Sequence, residues 1–217
     1  MQPRMLVVAG PPGSGKSTAF PLSSLGLDHF NADDRAAQLH GSYHSIPPHI
    51  RSQVNREFEQ FVQDHINNRQ SFALETTLRA KITFDQARRA KDNGFTIGMR
   101  YVALDNVELH LERIAIRAQS GGHAASERTL RSIHRESLKN LPEALRLLDD
   151  VAVFDNSRFE QEVQLLMETE RGRVVHLNNE VPAWLKNSLI GTEYEITDKL
   201  RDEVARGLER DDPGIDR

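Results

Sequence analysis

Residues 10–18 read GPPGSGKST, and this stretch decides the fold because it matches the pattern G-x-x-x-x-G-K-[ST] of phosphate-binding loops. The five residues before it, MLVVA at positions 5–9, form an apolar run that predicts a buried strand. The residues after it can begin a helix. A strand, this loop and a helix in that order are the context in which the motif binds nucleotide phosphates, so the sequence predicts a Walker A loop.

The residue types in the loop explain how it would hold a nucleotide. Its glycines allow the backbone to take positive φ and approach a phosphate closely, and successive N–H groups then form an anion nest. Lys16 would place a positive charge near the β- and γ-phosphates, and the Ser17 hydroxyl would ligate Mg²⁺. We therefore predict that ATP is contacted by the whole loop: Gly10, Pro11, Pro12, Gly13, Ser14, Gly15, Lys16, Ser17 and Thr18.

Length, charge and cysteine content limit the class of protein. The chain has 217 residues, a net charge of −4 and no cysteine, which favours one domain or one domain with an appendage. The mildly negative charge argues against a nucleic-acid-binding protein, and the missing cysteines exclude disulfides, thiolate metal sites and cysteine nucleophiles. The start does not resemble a signal peptide, and no apolar run approaches the roughly 20 residues of a membrane span. We expect a cytoplasmic protein without membrane contact.

Strand-like and helix-like stretches alternate along the chain, which predicts an α/β fold with a mainly parallel five-stranded sheet flanked by helices. After the fifth strand we predict a helix over residues 159–169, an edge strand over residues 173–177 and a short helix over residues 182–190. The expected division is a main domain of residues 1–180, with a lid at about 113–131, and a helical appendage with a frayed tail over residues 181–217. The five predicted strands are residues 5–9, 28–31, 71–75, 95–104 and 151–154.

Polar residues follow several of the predicted strands, and ligands of open α/β sheets bind at the carboxyl ends of strands. Asp33 is the candidate general base, because phosphoryl transfer to a hydroxyl needs a carboxylate that accepts the proton. Its alternative role, or that of Asp34, is to cap the next helix. Glu75 could bind sugar hydroxyls or a metal-bound water, or cap a helix. Thr77 and Arg79 could hold a phosphate of the second substrate.

Arginines after the fourth strand could neutralise the migrating phosphoryl group. Arg113 and Arg117 share a helix face at spacing i, i+4, and Arg128 and Arg131 follow a glycine turn at residues 121–122. This arrangement predicts a lid that closes over the site; the alternative is a solvated basic face paired with nearby glutamates. Four histidines show no metal-ligand spacing and are predicted to be surface or packing residues: His44, His110, His123 and His134.

Six short segments occur in an order that resembles the zeta toxin family: GPPGSGKST, NADD, FALETTLR, RAQSGGH, LKNL and VFDNS. The resemblance implies a three-layer P-loop NTPase/kinase fold that uses ATP and Mg²⁺ to phosphorylate the 3′-hydroxyl of UDP-N-acetylglucosamine. It also implies an antitoxin partner. By position, Lys16 resembles the family's loop lysine and Asp33 its catalytic aspartate. Contacts to the sugar nucleotide are implied for Glu75 and Thr77, and a phosphate clamp for Arg113, with Arg117, Arg128 and Arg131 competing for the second clamp.

Two other functions remain open at this point. A nucleotide, polynucleotide or antibiotic kinase could share the same fold and the same phosphate loop. A regulatory module that binds ATP with little turnover would keep the loop, but it would have no need for a base beside the γ-phosphate.

Overall fold

The computed structural model describes residues 2–43, 45–119, 126–158 and 161–210, without the side chains of residues 117–119 and 208–210. The first half of the chain contains β1 (Arg4–Ala9), α1 (Lys16–Ala19), a 3₁₀ helix (Leu22–Leu25), β2 (Asp28–Phe30), α2 (Ala32–His40), α3 (Pro48–Asn67), β3 (Phe72–Thr76) and α4 (Ile82–Asp92). The second half contains β4 (Thr96–Ala103), α5 (Val107–Gln119), α6 (Glu127–Leu147), β5 (Asp150–Asp155), β6 (Gln164–Glu170), β7 (Arg173–Leu177), α7 (Ala183–Leu189) and α8 (Asp198–Arg210).

The strands form one sheet in the order β2-β3-β1-β4-β5-β6-β7. The first five strands are parallel, and β6 and β7 continue the sheet antiparallel. This is the α/β P-loop kinase fold that the sequence predicts, but the sheet has seven strands, so the prediction of five strands was wrong. The carboxyl ends of β2, β3, β1, β4 and β5 meet at one edge of the sheet, where the loop of residues 10–18 follows β1.

The strand that the sequence did not predict is β6. It occupies Gln164–Glu170, where a helix was predicted over residues 159–169. The segment is rich in glutamate, glutamine, leucine and methionine, which are good helix formers. Its antiparallel pairing with β5 buries Leu166 and Met167 completely, and this tertiary pairing outweighs the local propensity. The edge strand over residues 173–177 and the short helix after it were predicted correctly.

The larger hydrophobic core lies between one face of the sheet and helices α3, α4, α6 and α7. Trp184 of α7 belongs to this core, although the domain division at residue 180 remains a prediction. A smaller cluster on the opposite face joins β1 and β3 to residues 20–27. A third cluster lies between α2 and α3. None of the helices within the described ranges is both long and apolar enough to cross a membrane.

Candidate functional site

The loop between β1 and α1 has the backbone shape that phosphate binding requires. Gly10, Gly13 and Gly15 all have positive φ, at 144°, 78° and 82°. A Cβ on Gly13 would lie 2.6 Å from the carbonyl oxygen of His110, so only glycine fits there. Lys16 opens α1 and is 9% exposed. The loop therefore presents backbone N–H groups and one lysine at the carboxyl edge of the sheet.

The carboxylate of Glu75 contacts two side chains of the loop, the Ser17 hydroxyl and the Lys16 ammonium group. It lies near the end of β3, which pairs with β1 in parallel register. Its Oε2 accepts a hydrogen bond of 2.7 Å from the Ser17 hydroxyl, and its Oε1 lies 3.6 Å from Lys16 Nζ. The Lys16 and Glu75 side chains are 11% and 13% exposed. The sequence placed Glu75 among the substrate contacts, whereas its contacts here are with the phosphate loop.

Asp33 and Asp34 lie in the first turn of α2, and neither of them caps the helix. Asn31 is the cap, and its side-chain oxygen accepts hydrogen bonds from the backbone N–H groups of both aspartates. The Asp34 carboxylate accepts a hydrogen bond of 2.9 Å from the Tyr43 hydroxyl. The Asp33 side chain is exposed and has no hydrogen bond or ion pair to another described residue. It therefore remains available as a base at the end of β2, next to the end of β3.

Asn156, after β5, holds two parts of the site together. Its Nδ2 donates a hydrogen bond of 2.9 Å to the carbonyl oxygen of Ser14 in the loop. Its own carbonyl oxygen accepts a hydrogen bond of 2.8 Å from Arg113 Nη2. Arg113 Nη1 lies 3.8 Å from the position that a Cβ on Gly15 would take. The predicted lid arginine Arg113 is thus beside the phosphate loop, and Asn156 contacts both of them.

The other candidate arginines form no hydrogen bond or ion pair with the loop among the described residues, or their side chains fall outside the described part. Arg131 is bound by Glu108 and Glu127, at 2.9 and 2.8 Å, and these hydrogen bonds raise its pKa. Arg128 is exposed and forms no hydrogen bond or ion pair to another described residue. With Arg131 and Arg135 it lines an open cavity of about 660 Å³ on α6. Arg117 belongs to α5, but its side chain and the glycine turn at residues 121–122 lie outside the described residues, as do His44 and His123.

Thr77 and Arg79 lie in the loop after β3, on either side of the fully buried Leu78. Arg79 is exposed and Thr77 half-buried. Neither side chain forms a hydrogen bond or ion pair to another residue in the described ranges. Both remain candidates for contacts with a second substrate.

His110 is the residue of the site that sequence reasoning missed. It is 2% exposed, and its Nδ1 lies 3.0 Å from the carbonyl oxygen of Pro12 in the phosphate loop. Its Nε2 accepts a hydrogen bond of 3.2 Å from the Leu104 N–H. Since Nε2 accepts, Nδ1 must carry the proton and donate it to Pro12. Burial lowers the pKa of His110 to about 3, and the positive charges of His134, Arg113 and Lys16 add to this effect. Through these two hydrogen bonds the neutral ring connects the phosphate loop to the residue that follows β4.

This histidine predicts that stability falls in mild acid. In the unfolded chain His110 has its ordinary pKa of 6.5 and binds a proton below that pH. In the folded chain it binds this proton only near pH 3. Unfolding is therefore favoured as the pH falls through that range, by about 3 kcal/mol at about pH 4.5. His110→Gln keeps a donor and an acceptor without the titration. Urea unfolding at neutral and acid pH should show a smaller acid loss in this variant, and equal losses in both proteins would refute the assignment.

The part of the chain that the structure describes contains no cluster of three histidine, cysteine, aspartate or glutamate side chains that could hold a metal ion alone. A metal at this edge would need the oxygens of Ser17 and Glu75 together with those of a bound phosphate. Both protein oxygens are hard ligands of the kind that Mg²⁺ accepts, and Mg²⁺ is commonly held by one or two protein groups plus substrate phosphates. The residues present therefore fit Mg²⁺.

Comparisons with known proteins give a family match and solved structures of similar fold. The family model described as Zeta toxin matches residues 1–180. An uncharacterized protein of Haemophilus influenzae is 29% identical over 143 residues, which cover 58% of this chain and 89% of that protein. The toxin–antitoxin system PezAT of Streptococcus pneumoniae contains a chain with a TM-score of 0.60, 16% identity and coverage of 96% and 86%. A chain in the AvrRxo1-ORF1:-ORF2 complex with ATP has a TM-score of 0.66, 14% identity and coverage of 96% and 73%.

Proposed function

This chain belongs to the zeta toxin family, and on that premise we propose that it transfers the γ-phosphate of ATP to a hydroxyl of a UDP-amino sugar, with UDP-N-acetylglucosamine as the first candidate. The observation that carries the proposal is the contact of one carboxylate, Glu75, with both Lys16 and Ser17. This group lies at the sheet edge where Asp33 follows the neighbouring strand. A phosphate site, a metal-binding pair of oxygens and a free carboxylate are the parts that phosphoryl transfer needs.

The phosphates of ATP would bind in the loop of residues 10–18. Its backbone N–H groups and the N-terminus of α1 would face the phosphate oxygens, and Lys16 would leave Glu75 to contact them. Bound Mg²⁺, held by Ser17 and Glu75, would neutralise charge on the β- and γ-phosphates. Arg113 lies next to Gly15 and would balance the charge that develops on the transferred group.

Asp33 would orient the acceptor hydroxyl and take its proton. As the hydroxyl oxygen forms its bond to the γ-phosphorus, the bond from that phosphorus to the β-phosphate oxygen breaks and ADP leaves. The hydroxyl proton goes to the Asp33 carboxylate, so atoms and charge balance. An exposed carboxylate without a described partner suits this role, because it is not held by a competing hydrogen bond.

The acceptor is tested by measuring ADP release with a panel of hydroxyl compounds. The panel contains UDP-N-acetylglucosamine, UDP-glucose, N-acetylglucosamine 1-phosphate, a nucleoside and a 5′-hydroxyl oligonucleotide. We expect the highest kcat/KM with UDP-N-acetylglucosamine. A higher value with the nucleoside or the oligonucleotide would replace the proposed acceptor and keep the kinase, whereas ATP binding without ADP release on any compound would replace the kinase by a regulatory module.

A protein partner is part of this proposal. The Streptococcus pneumoniae chain of similar fold comes from a toxin–antitoxin system, and a kinase that consumes a sugar nucleotide would need an inhibitor while it is not in use. We infer that this chain is held inactive by an antitoxin.

The position of Glu75 predicts that Mg²⁺ and ATP bind cooperatively. Without the metal, ATP must separate Lys16 from Glu75 and bring its negative phosphates close to the largely buried carboxylate of Glu75. The two negative groups repel each other, which weakens binding. Glu75→Gln removes that charge and should bind metal-free ATP more tightly, so that the gain in affinity from Mg²⁺ shrinks about tenfold. Calorimetric titration of ATP with and without Mg²⁺ measures both affinities. Glu168→Gln on β6 is the control, and an unchanged Mg²⁺ effect in Glu75→Gln would contradict this role.

A further inference from the structure

The loop between β3 and α4 is tied at its start to the phosphate loop. The carbonyl oxygen of Thr76 accepts a hydrogen bond of 3.2 Å from the Gly10 N–H. The Thr76 hydroxyl accepts a hydrogen bond of 3.1 Å from the Leu78 N–H and lies 3.2 Å from the Thr83 hydroxyl. The first residues after β3 are therefore fixed relative to the nucleotide site.

Leu78 gives this loop an unusual backbone. Its φ is 57°, in the left-handed region that leucine seldom adopts. Its side chain is fully buried in the larger core. A strained backbone at a buried position persists only where the surroundings hold it, and such positions cluster at functional sites.

Asn140 of α6 is the residue that holds Leu78. It is 6% exposed, and its Nδ2 donates a hydrogen bond of 2.8 Å to the Leu78 carbonyl oxygen. The bond joins residues 62 positions apart in the chain. Without it, a carbonyl group at this turn would lose its partner beside the core, which is costly. Leu78 is thus held at three points: its N–H by the Thr76 hydroxyl, its side chain by the core and its carbonyl oxygen by Asn140.

The consequence concerns the two neighbours of Leu78. The Leu78 side chain is anchored in the core, and its carbonyl oxygen is bound by Asn140. Its neighbours Thr77 and Arg79, two and four residues after Glu75 in the chain, are therefore held at the carboxyl edge of the sheet. Thr77 and Arg79 have no hydrogen bond or ion pair elsewhere in the described ranges. Their side chains are free for a ligand while their backbone is not.

We propose that Asn140 is a positioning residue that sets the affinity for the phosphoryl acceptor through Thr77 and Arg79. This inference rests on the proposed function and deepens it, because it names a residue of α6, outside the substrate contacts, that positions the loop after β3. Arg79 is a cation, so the acceptor that this loop recognises carries negative charge near its reacting hydroxyl. Asn140 itself touches neither substrate.

The test compares Asn140→Ala and Asn140→Asp with a control on the same helix. Ser137 lies three residues earlier, is fully buried and pairs its hydroxyl with that of Tyr101 at 2.9 Å, away from the loop. For both Asn140 variants we expect the acceptor KM to rise about tenfold, since one buried hydrogen bond is lost, while the Kd for ATP and kcat at saturating acceptor stay near the original values. Ser137→Ala should lose stability without a change in acceptor KM.

Two outcomes would overturn the positioning role. An unchanged acceptor KM in the Asn140 variants would do so, and so would an equal rise in Ser137→Ala. A failure of the proposed function looks different, because the unaltered protein would then bind ATP but phosphorylate no acceptor. In that case hydrogen exchange of the amides of residues 77–80 tests the positioning role independently of any acceptor. Faster exchange there in Asn140→Ala, and not in Ser137→Ala, supports it, and unchanged exchange overturns it.

Discussion

Asp33→Asn is expected to lower kcat about a thousandfold, within the range that general-base catalysis contributes, while the Kd for ATP stays nearly constant. Asparagine has the same shape as aspartate but cannot accept the hydroxyl proton. The nucleotide contacts that we propose come from the loop of residues 10–18, and the cap of α2 comes from Asn31, so this change removes neither. Steady-state kinetics and ATP titration on the same preparation measure the two effects separately.

Asp34→Asn is the matched control for this prediction. Asp34 is the next residue on the same helical turn, is also exposed and receives a hydrogen bond from Tyr43 that asparagine can still accept. We expect this variant to keep kcat. A similar loss in both variants would show that the charge of the α2 N-terminus matters rather than a base at position 33, and full activity in Asp33→Asn would remove Asp33 from the mechanism.

Lys16→Ala has the second large expected effect. In the proposed mechanism the ammonium group would contact phosphate both in the bound nucleotide and in the transition state, so its loss should weaken ATP binding about a hundredfold and lower kcat by a further factor of about a hundred. The variant also leaves the Glu75 carboxylate without its cation, which adds repulsion toward ATP. Calorimetry gives the change in Kd, and single-turnover kinetics give the change in the chemical step.

The control for Lys16→Ala is Lys139→Ala on α6. The Lys139 side chain is 75% exposed and lies 4.0 Å from Glu136, a distance at which a surface ion pair contributes little. This variant should behave like the unaltered protein. If Lys16→Ala retained both ATP affinity and turnover, the loop of residues 10–18 would not be the nucleotide site.

The phosphate loop and the parallel part of the sheet could be predicted because their signals are local. Residues 5–9 are apolar and the loop motif follows at once, so β1 begins one residue before the predicted strand and ends where it was predicted to end. The cap of α6 is local in the same way, because the hydroxyl of Ser126 accepts a hydrogen bond from the N–H of Thr129, three residues later. These features depend on neighbours in sequence, which a single sequence displays.

Features that depend on distant contacts could not be predicted. The strand β6 exists because it pairs with β5, and its composition alone favours a helix. His110 and Asn140 act on Pro12 and Leu78, at separations of 98 and 62 residues, and no spacing in the sequence marks such contacts. Capping of α2 was an alternative role for Asp33 or Asp34; Asp and Asn are equally good caps, and only the geometry selects Asn31.

The central claim is that a phosphoryl group moves from ATP to a hydroxyl with Asp33 as base. The most direct measurement is the mass spectrum of UDP-N-acetylglucosamine after incubation with ATP, Mg²⁺ and either the unaltered protein or Asp33→Asn. We expect the sugar nucleotide to gain one phosphate with the unaltered protein and to remain unchanged with the variant over the same time. An equal gain with both proteins, or no phosphorylated product with the unaltered protein although it binds ATP, would contradict the account.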